Sequence, residues 1–501
     1  MVDETKLENR LKPPQIAILG AGFSGLAMAI QLKNCGVDNF TIYEKADDVG
    51  GTWRENTYPG VACDIPSHLY SLSYEPNPDW SRRYSRGREI WDYMKRCAEK
   101  HGLYPRIRFN REVKSARHDG GRWRIEFADG ARVDADIVVS GLGGLHHPHI
   151  PDFPGKEDFA GPAFHTAQWR RDVDLAGKRV AVIGSAASAV QAVPAIATKV
   201  ARLDLYQRTP NWIFPRNDYA YPGVVKKLFA AAPFLARAYR GFIFSIMELR
   251  FMAFKKDENY MKRHVRRIFS KHLKNQVADP ELRRKLTPDF PVGCKRILVS
   301  DEYLPAVQRD NVDIVTAPIE RIERAGVRTK DGVLREVDAI VFATGFRPFD
   351  ISRSVRIVGP SGVSLADAWK DRIAAHRTVA APGFPNFFLL LGPNSGLGHN
   401  SVLLMIEAQV KYVISLIEAM RREGAAFIEP DPHAADSFDR ALQDALQGMV
   451  WAGGCKSWYL DEAGRNYTLY AYSVRRFLRD TAKPRLDEYV LKPAHETAAA
   501  S

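Results

Sequence analysis

Cysteine pairs and long apolar runs are both missing from this chain. Its five cysteines form no Cys-x-x-Cys pair, which excludes a zinc ribbon and a dithiol redox centre. Single, scattered cysteines favour a reducing, cytoplasmic setting. No stretch supplies the ~20 apolar residues that a membrane-spanning helix needs, and no secretory signal precedes the first short apolar run, residues 16–19. We therefore expect a soluble, cytoplasmic protein.

Nucleic-acid-binding signatures are missing too, although the chain is basic. The formal net charge is +13, and residues 221–290 contain sixteen Lys or Arg against six Asp or Glu. No helix-turn-helix, RNA-recognition or zinc-finger pattern accompanies this charge, so a nucleic-acid partner is not expected. Two interpretations of the basic stretch stay open: a solvated helical surface, and weak peripheral contact with an anionic membrane.

Two parts of the chain share one pattern of strand, glycine-containing turn, helix and second strand. The first runs from an apolar strand at 15–19 through the turn GAGFSG, and the second runs from 179–183 through the turn GSAASA. Each pattern is typical of a dinucleotide-binding unit. The sequence therefore predicts an α/β fold with two Rossmann-like dinucleotide-binding domains, and the basic stretch between their parts predicts a helical insertion.

The first glycine turn predicts an FAD site. Gly20 permits the tight turn, Gly22 lets the backbone approach a pyrophosphate, and Gly25 lets the helix pack closely on the strand. Glu44 lies 24 residues after Gly20, near the offset at which an acid bonds ribose hydroxyls. A second glycine pair at 50–51 suits an elongated FAD, which needs another close approach of the backbone.

The second glycine turn predicts an NADPH site. Arg208 lies 24 residues after Gly184, the same offset as in the first unit. An arginine at that place suits the 2′-phosphate of NADPH, because it forms charge-assisted and often bidentate hydrogen bonds. Ala186 replaces the usual middle glycine, and its methyl group is expected to crowd a pyrophosphate slightly.

Several motifs together resemble the Baeyer–Villiger monooxygenases, which are class B flavoprotein monooxygenases. Residues 50–53 (GGTW) and 58–67 (YPGVACDIPS) resemble their flavin region. Residues 159–169 (FAGPAFHTAQW) resemble their fingerprint FxGxxxHxxxW, although Arg170 follows where Pro or Asp is usual. The resemblance extends from about residue 15 to about residue 472 and includes the turns at 343–346 and 392–401.

This resemblance implies an FAD-dependent, NADPH-consuming monooxygenase with O₂ as co-substrate. Such an enzyme forms a C4a-peroxyflavin and inserts one oxygen atom next to the carbonyl of a small apolar ketone, giving an ester or lactone. The resemblance makes Arg296 and Asp64 the catalytic pair, with Asp64 orienting the arginine. It also places Lys295 beside Arg208 at the 2′-phosphate. A permanent cation with a planar donor fork suits the stabilisation of a peroxide anion.

The predicted site residues fall into two groups, and no metal ligand is among them. The predicted FAD contacts are Gly20, Gly22, Gly25, Glu44, Gly51, Thr52, Trp53 and Asp64. The predicted NADPH contacts are Gly184, Ser185, Ser188, Arg208, Thr209, Lys295 and Arg296.

The same motifs divide the chain into alternating parts, with a proline-rich linker near 148–154. The FAD-binding domain is predicted at 1–147 and 347–501. The NADP-binding domain is predicted at 148–215 and 291–346, and the helical insertion is predicted at 216–290.

Some alternatives stay open at this point. The same cofactors also serve enzymes that oxygenate sulfur or nitrogen, and oxidases that release H₂O₂ from NADPH. A non-catalytic nucleotide sensor is the alternative that applies if Ala186 impairs NADPH binding. A hydrolase is not expected, because no GxSxG motif is present. Seven apolar residues of the insertion are expected to form part of the core, and the alternative is that they line a substrate entrance. They are Phe229, Phe234, Leu235, Phe242, Phe244, Ile246 and Met247.

Overall fold

Two parallel five-stranded sheets organise the chain. The computed structural model describes residues 13–256, 259–347, 355–455 and 457–493, so the outer ends of the predicted domain parts 1–147 and 347–501 lie outside the described residues. Strands and helices are numbered here in chain order within these ranges.

The first sheet has the strand order β19-β7-β1-β2-β3, and all its pairings are parallel. Its central strands are buried along their whole length, as expected for a parallel sheet that is covered on both faces. The strands are β1 (Ile16–Leu19), β2 (Phe40–Tyr43), β3 (Ile107–Arg108), β7 (Ile137–Ser140) and β19 (Phe387–Leu389).

The second sheet repeats this arrangement with the strand order β13-β10-β9-β17-β8, again entirely parallel. Both units therefore have the alternation of strand and helix that the sequence pattern predicts. The strands are β8 (Ala163–His165), β9 (Arg179–Ile183), β10 (Arg202–Tyr206), β13 (Val312–Val315) and β17 (Ala339–Phe342).

The remaining strands form smaller sheets. Strands β4, β5 and β6 form an antiparallel sheet, and β18 is added to it parallel to β4. Strands β14 to β16 form an antiparallel meander. Two further sheets have two strands each, β11 with β12 and β20 with β21. The strands are β4 (Val113–Asp119), β5 (Arg122–Phe127), β6 (Arg132–Ala135), β11 (Ile213–Phe214), β12 (Leu298–Val299), β14 (Ile319–Glu323), β15 (Gly326–Thr329), β16 (Leu334–Glu336), β18 (Arg356–Val358), β20 (Phe427–Pro430) and β21 (Tyr489–Lys492).

Helices cover the sheets and build the insertion. The helices of the first unit and the insertion are α1 (Phe23–Asn34), α2 (Thr52–Glu55), α3 (Gly87–Lys100), α5 (Gly223–Ala231), α6 (Pro233–Leu249), α7 (Asn259–Gln276) and α8 (Pro280–Leu286). The others are α4 (Ala187–Ala197), α9 (Tyr303–Ala306), α10 (Leu365–Ala368), α11 (Val402–Arg422), α12 (Pro432–Gln447) and α13 (Val474–Asp480).

The long helix α11 shows how the C-terminal part returns to the first unit. Ser401 caps its N-terminus by accepting a hydrogen bond from the Leu403 amide, and Arg421 and Arg422 lie in its last turn, where cations favour the helix dipole. Helix α11 packs against α1, the helix that follows the first glycine turn, although the two are almost 400 residues apart in the sequence. The predicted fold class is confirmed by this arrangement, and the exact domain boundaries stay a prediction.

The insertion differs from the sequence-based expectation. Met247 is buried, as expected for core, but Phe234, Phe242 and Ile246 are exposed. The core prediction is wrong for these three because the side of α6 that faces the core consists of Ala236, Ile243 and Met247, and the three lie outside that stripe. None of the helices in the described ranges is both long and apolar enough to cross a bilayer.

Candidate active site

The first glycine turn adopts the strained, tightly packed geometry that its glycines predict. Gly20 has a φ of 96°, and its amide donates a hydrogen bond of 2.8 Å to the carbonyl of Tyr43 at the end of β2. A Cβ on Gly25 would lie 1.9 Å from the Gly20 carbonyl oxygen, so only glycine fits there. This turn therefore brings the start of α1 as close to β1 as the backbone allows.

The second glycine pair lies against the first turn and forms a cradle with it. The Gly50 amide donates to the Ala21 carbonyl at 3.0 Å, and the Cα atoms of Gly22 and Gly51 face each other. A Cβ on Gly22 would meet nothing nearer than the Gly51 Cα at 3.8 Å, so the protein itself does not fill this space. Backbone amides around an unfilled hollow at a helix N-terminus fit a pyrophosphate.

Glu44 lies at the edge of this cradle. Its carboxylate is buried and accepts hydrogen bonds from the Ala21 amide at 2.7 Å and from the Ala46 amide at 2.9 Å. Each carboxylate oxygen keeps a further lone pair for a ribose hydroxyl. Thr52 begins α2 and is exposed, while the Trp53 indole donates to the Tyr70 hydroxyl at 3.2 Å. The predicted FAD residues of this unit therefore lie together.

The second glycine turn is tied to the residues that follow β10. Gly184 has a φ of 111°, and a Cβ there would lie 2.4 Å from the Ala343 carbonyl oxygen. The Ser185 hydroxyl donates to the Thr209 carbonyl at 3.0 Å, and the Asn211 amide donates to the Ser185 carbonyl at 2.9 Å. Ala186 precedes α4 and is exposed, so its methyl group does not press on the protein itself.

Two cations lie near this turn without an acid between them. Arg208 is exposed and pairs with no acid in the described part of the chain. Burial, followed by the charge of Arg208, lowers the pKa of the Lys295 ammonium, and Asp289 offsets only part of this effect. Lys295 Nζ also lies 4.6 Å from the centre of the Phe290 ring. Two mutually repelling cations fit a doubly charged phosphate.

A glutamine joins the two units. The Gln191 side chain, on α4, accepts a hydrogen bond from the Tyr58 hydroxyl at 2.9 Å and donates one to the Ala62 carbonyl at 2.9 Å. Burial raises the pKa of the Tyr58 hydroxyl to about 12, although a hydrogen bond with Ser188 opposes this. The segment between the FAD cradle and Asp64 is thus held by the helix of the second unit. The sequence contained no signal for this glutamine.

Arg296 is the charged centre of the site. Its Nη2 donates to Asp64 Oδ2 at 2.6 Å, its Nε lies 3.2 Å from the same oxygen, and its Nη1 donates to the Leu397 carbonyl at 3.1 Å. The charge of Asp64 raises the pKa of the guanidinium well above its usual value, despite burial. The side chain still exposes 31% of its surface. Arg296 is therefore always charged, held by three hydrogen bonds, and only partly covered by the protein.

Tyr459 is a further neighbour of Arg296. Its side chain is almost fully buried, and burial raises the pKa of its hydroxyl to about 12, while the charge of Arg296 acts in the opposite direction. Sequence reasoning missed both contacts. Tyr459 lies outside every motif, and Leu397, although it lies in the turn at 392–401, acts through its backbone carbonyl. Four separate segments of the chain thus meet at Arg296.

A disulfide bond flanks the same centre and corrects the view of the cysteines as single residues. Cys294 and Cys455 are bonded, and 161 residues separate them. Cys35, Cys63 and Cys97 are free. Sequence spacing could not reveal the pair, because the two cysteines meet only through the fold. The bond joins the segment that carries Arg296 to the segment that carries Tyr459.

The insertion reaches this centre through Glu248. Its carboxylate, on α6, accepts hydrogen bonds of 3.0 Å from the Asn400 side chain and from the Arg475 amide, and it lies 3.5 Å from His399 Nε2. Burial raises the pKa of this carboxyl, but His399 and the two hydrogen bonds outweigh that effect and lower the pKa to about 2. His399 lies two residues beyond Leu397, so Glu248 anchors the loop that holds Arg296.

The fingerprint region lies at the edge of the second sheet. His165 ends β8, is buried, and accepts a hydrogen bond at Nδ1 from the Ala167 amide. Burial lowers its pKa to about 4, so the imidazole is neutral at physiological pH. Arg170 is exposed and pairs with Asp172 on the same loop. The departure at Arg170 therefore lies outside the centre around Arg296.

Comparison with known proteins places this geometry in a family. The family described as flavin-binding monooxygenase-like matches residues 13–355. A "Baeyer-Villiger monooxygenase" of Streptomyces coelicolor is 44% identical over 485 residues, which cover 96% of this chain and 93% of the relative. The chain belongs to the flavin-binding monooxygenase-like family. Within it, the chain groups with the Baeyer–Villiger monooxygenases, as the sequence motifs predict.

Solved structures of the family agree with this membership. Cyclohexanone monooxygenase from Rhodococcus sp. Phi1, bound to NADP⁺, is 28% identical with a TM-score of 0.86, and the match covers 96% of this chain and 99% of that one. OTEMO in complex with FAD and NADP is 25% identical with a TM-score of 0.85, over 96% and 100% of the chains. The predicted FAD- and NADPH-dependent flavoprotein monooxygenase of the Baeyer–Villiger type is confirmed.

The unfilled cradle gives a first prediction, for Gly22→Ala. The new methyl group has room in the protein but not beside a bound pyrophosphate, so we expect FAD affinity to fall by about 10- to 100-fold, since such overpacking costs about 1–3 kcal/mol. Flavin content by absorbance, and thermal unfolding of the flavin-free protein, measure the two effects.

Gly223→Ala serves as the control, since its Cβ would meet nothing within 4 Å. A Gly22→Ala protein that keeps its full flavin content would contradict the placement of FAD in this cradle.

The disulfide gives a second prediction. Titration of thiols in denaturant is expected to find three free cysteines without reductant and all five after reduction. Cys455→Ser is expected to lower the free energy of unfolding by about 2–4 kcal/mol, because the bond closes a long loop. Cys35→Ser, at an exposed free cysteine, is the control. Five thiols in the unreduced protein would show that the bond is absent.

Proposed function

We propose that this chain oxidises a small apolar ketone to an ester or lactone, with Arg296 and Asp64 as the residues that act on the reacting atoms. The reaction consumes one ketone, one O₂, one NADPH and one proton, and yields the ester, NADP⁺ and water. The observation that supports this role most directly is the Arg296 guanidinium, which is paired with Asp64 and held in a fixed orientation, yet still exposes 31% of its surface.

The residues present fit both cofactors. Gly20, Gly22, Gly51 and Glu44 would hold the pyrophosphate and ribose of FAD, and the turn at 184–188 with Arg208 and Lys295 would hold NADPH. When bound, FAD supplies the redox chemistry that passes electrons from NADPH to O₂. The protein contributes the position of the cofactors and the charge beside them.

Arg296 stabilises negative charge in this scheme. Its guanidinium keeps a permanent charge and a planar set of donors, which suit the oxyanion that develops when a ketone carbonyl is attacked. Asp64 accepts from two of its nitrogens and the Leu397 carbonyl from the third, so the fork has a fixed orientation before substrate arrives. A donor that is already oriented in a low-dielectric site stabilises charge more than the same group in water.

The substrate class and the cellular location stay proposals. A ketone as the substrate is supported by the motifs and by the name of cyclohexanone monooxygenase, to which the chain is similar over nearly its whole length. A cytoplasmic location also stays a proposal. The dependence on NADPH supports it, while the bond between Cys294 and Cys455 weakens the argument from single cysteines.

The activity itself is tested by product analysis. We expect NADPH consumption to produce a lactone from a cyclic ketone, with one oxygen atom from isotopically labelled O₂ in the product. Faster turnover of a sulfide than of any ketone would replace this proposal with sulfur oxygenation. Stoichiometric H₂O₂ with every substrate would replace it with an NADPH oxidase.

Arg296→Ala gives a third prediction. The rate of flavin reduction by NADPH without oxygen is expected to stay within a few-fold of the wild type, while ester formation falls by about 100- to 1,000-fold, the usual cost of removing one electrostatic donor. NADPH is then expected to yield H₂O₂ instead of ester.

Arg170→Ala is the matched control, because that arginine is exposed and forms an ion pair with Asp172 on the same loop. Normal ester formation by Arg296→Ala in rapid-mixing experiments would remove Arg296 from the mechanism.

Arg208→Ala gives a fourth prediction. Loss of a charge-assisted hydrogen bond costs about 1.5–3 kcal/mol, so the KM for NADPH is expected to rise by about 10- to 100-fold. The KM for NADH is expected to stay unchanged, since NADH has no 2′-phosphate.

Arg324→Ala, at another exposed arginine of the same half, is the control. Equal increases in the KM values for NADPH and NADH would show that Arg208 does not recognise the 2′-phosphate.

A further inference from the structure

Helix α6 buries an apolar stripe of Ala236, Ile243 and Met247, but it also exposes large apolar side chains on its outer side. Phe234, Phe242 and Leu249 expose 66%, 61% and 71% of their surfaces. Two charged side chains of the same helix, Arg240 and Glu248, bind other parts of the protein instead of facing water. A surface helix normally points its apolar side chains to the core and its charges to water.

The two inward charges hold α6 against other parts of the protein. Arg240 donates to the carbonyls of His68, Leu69 and Ser71 at 2.8–3.0 Å. Glu248 accepts from Asn400 and from the Arg475 amide. These contacts fix the rotation of α6 about its axis. The apolar side chains on its other side are therefore held outward and do not turn into the core.

The outward side chains form one continuous apolar face. Phe234 and Phe242 are eight residues apart and Leu249 follows seven later, which places them on the same side of the helix at about two-turn spacing. Small residues lie between them: Ala238 and Gly241 are also exposed. We call Phe234, Phe242 and Leu249 the apolar face.

Exposed apolar side chains are concentrated in this part of the protein. Fourteen large apolar side chains are exposed among the described residues, and eight of them lie between residues 224 and 268. This stretch is only about a tenth of the chain, so the concentration is not the ordinary scatter of a protein surface. The eight are Val224, Leu228, Phe234, Phe242, Ile246, Leu249, Met252 and Ile268.

The neighbouring helix supplies positive charge. Helix α7 contains six Lys or Arg and no Asp or Glu. Its Arg263, Arg267 and Lys271 are exposed and form no ion pair with any residue that the structure describes. The turn at Arg250–Phe254 follows α6 directly and packs against α7, so the apolar face and the basic helix are neighbours within the insertion.

These observations decide between possible occupants of the face. A second copy of the chain would bring two surfaces together that each hold sixteen bases against six acids, which is electrostatically unfavourable. An uncharged apolar partner would leave the bases without a role. An anionic bilayer offers hydrocarbon to the apolar face and phosphate groups to the basic helix.

We propose that helices α6 and α7 of the insertion bind peripherally to anionic phospholipid membranes. Phe234, Phe242 and Leu249 enter the boundary between headgroups and acyl chains, while Arg263, Arg267 and Lys271 contact lipid phosphates. This binding surface does not include Arg296 or either glycine turn, so it is independent of the chemistry proposed above.

The test is flotation of the full-length, FAD-loaded protein with lipid vesicles. We expect binding to vesicles of phosphatidylglycerol and phosphatidylcholine in equal amounts, and at least about tenfold weaker binding to phosphatidylcholine alone. Binding is expected to fall as salt screens the charges. Absence of binding to the anionic vesicles at low salt would overturn the proposal.

Two sets of substitutions test the two parts of the surface. The triple variant Phe234→Ser, Phe242→Ser and Leu249→Ser is expected to bind anionic vesicles at least about tenfold more weakly. The triple variant Arg263→Gln, Arg267→Gln and Lys271→Gln is expected to show a loss of similar size and a weaker salt dependence.

Matched controls remove the same chemistry elsewhere. Val333→Ser with Val363→Ser removes exposed apolar side chains outside the insertion, and these changes are expected to leave vesicle binding unchanged. Ketone turnover in detergent-free buffer shows that each variant is folded. Wild-type binding by the apolar-face variant would overturn the proposal. Concentration-dependent self-association that the same variant abolishes would also overturn it, in favour of a second copy.

Discussion

The ion pair between Arg296 and Asp64 is the interaction on which the rest of the site depends. The two residues are 232 positions apart, so the pair exists only when the two Rossmann-like units and the C-terminal return are assembled. Removing one partner would leave the other charge without compensation in a partly buried place. Three further features lie around this guanidinium: the carbonyl of Leu397, the hydroxyl of Tyr459 and the bond between Cys294 and Cys455.

The glycine turns could be predicted from the sequence because their chemistry is local. Gly20, Gly25 and Glu44 act through fixed spacing within one strand, turn and helix, and the structure places them together as that spacing requires. Resemblance to a family added Arg296 and Asp64, which no spacing rule connects. The fold class followed from the same local patterns, since each unit repeats one arrangement of strand, turn and helix.

The contacts that the sequence did not reveal are all tertiary. Leu397 acts through its backbone, Tyr459 and Glu248 lie outside any motif, and the disulfide joins cysteines 161 residues apart. The exposed Phe234 and Phe242 were misjudged for a related reason. Apolar spacing shows that a helix has a face but does not say which side the fold covers, and here the fold covers Ala236, Ile243 and Met247.

The Gln191 bridge has a consequence for how the two cofactor units move. Its amide holds both Tyr58 and Ala62, so the segment that leads to Asp64 is fastened to α4 of the NADPH unit as well as to its own FAD unit. A Cβ on Gly60 would lie 2.2 Å from the Gln191 carbonyl oxygen, so the backbones of the two units are in close contact here. A rotation of one unit against the other would therefore also displace the Asp64 carboxylate, so the position of the NADPH unit and the orientation of Arg296 would be coupled.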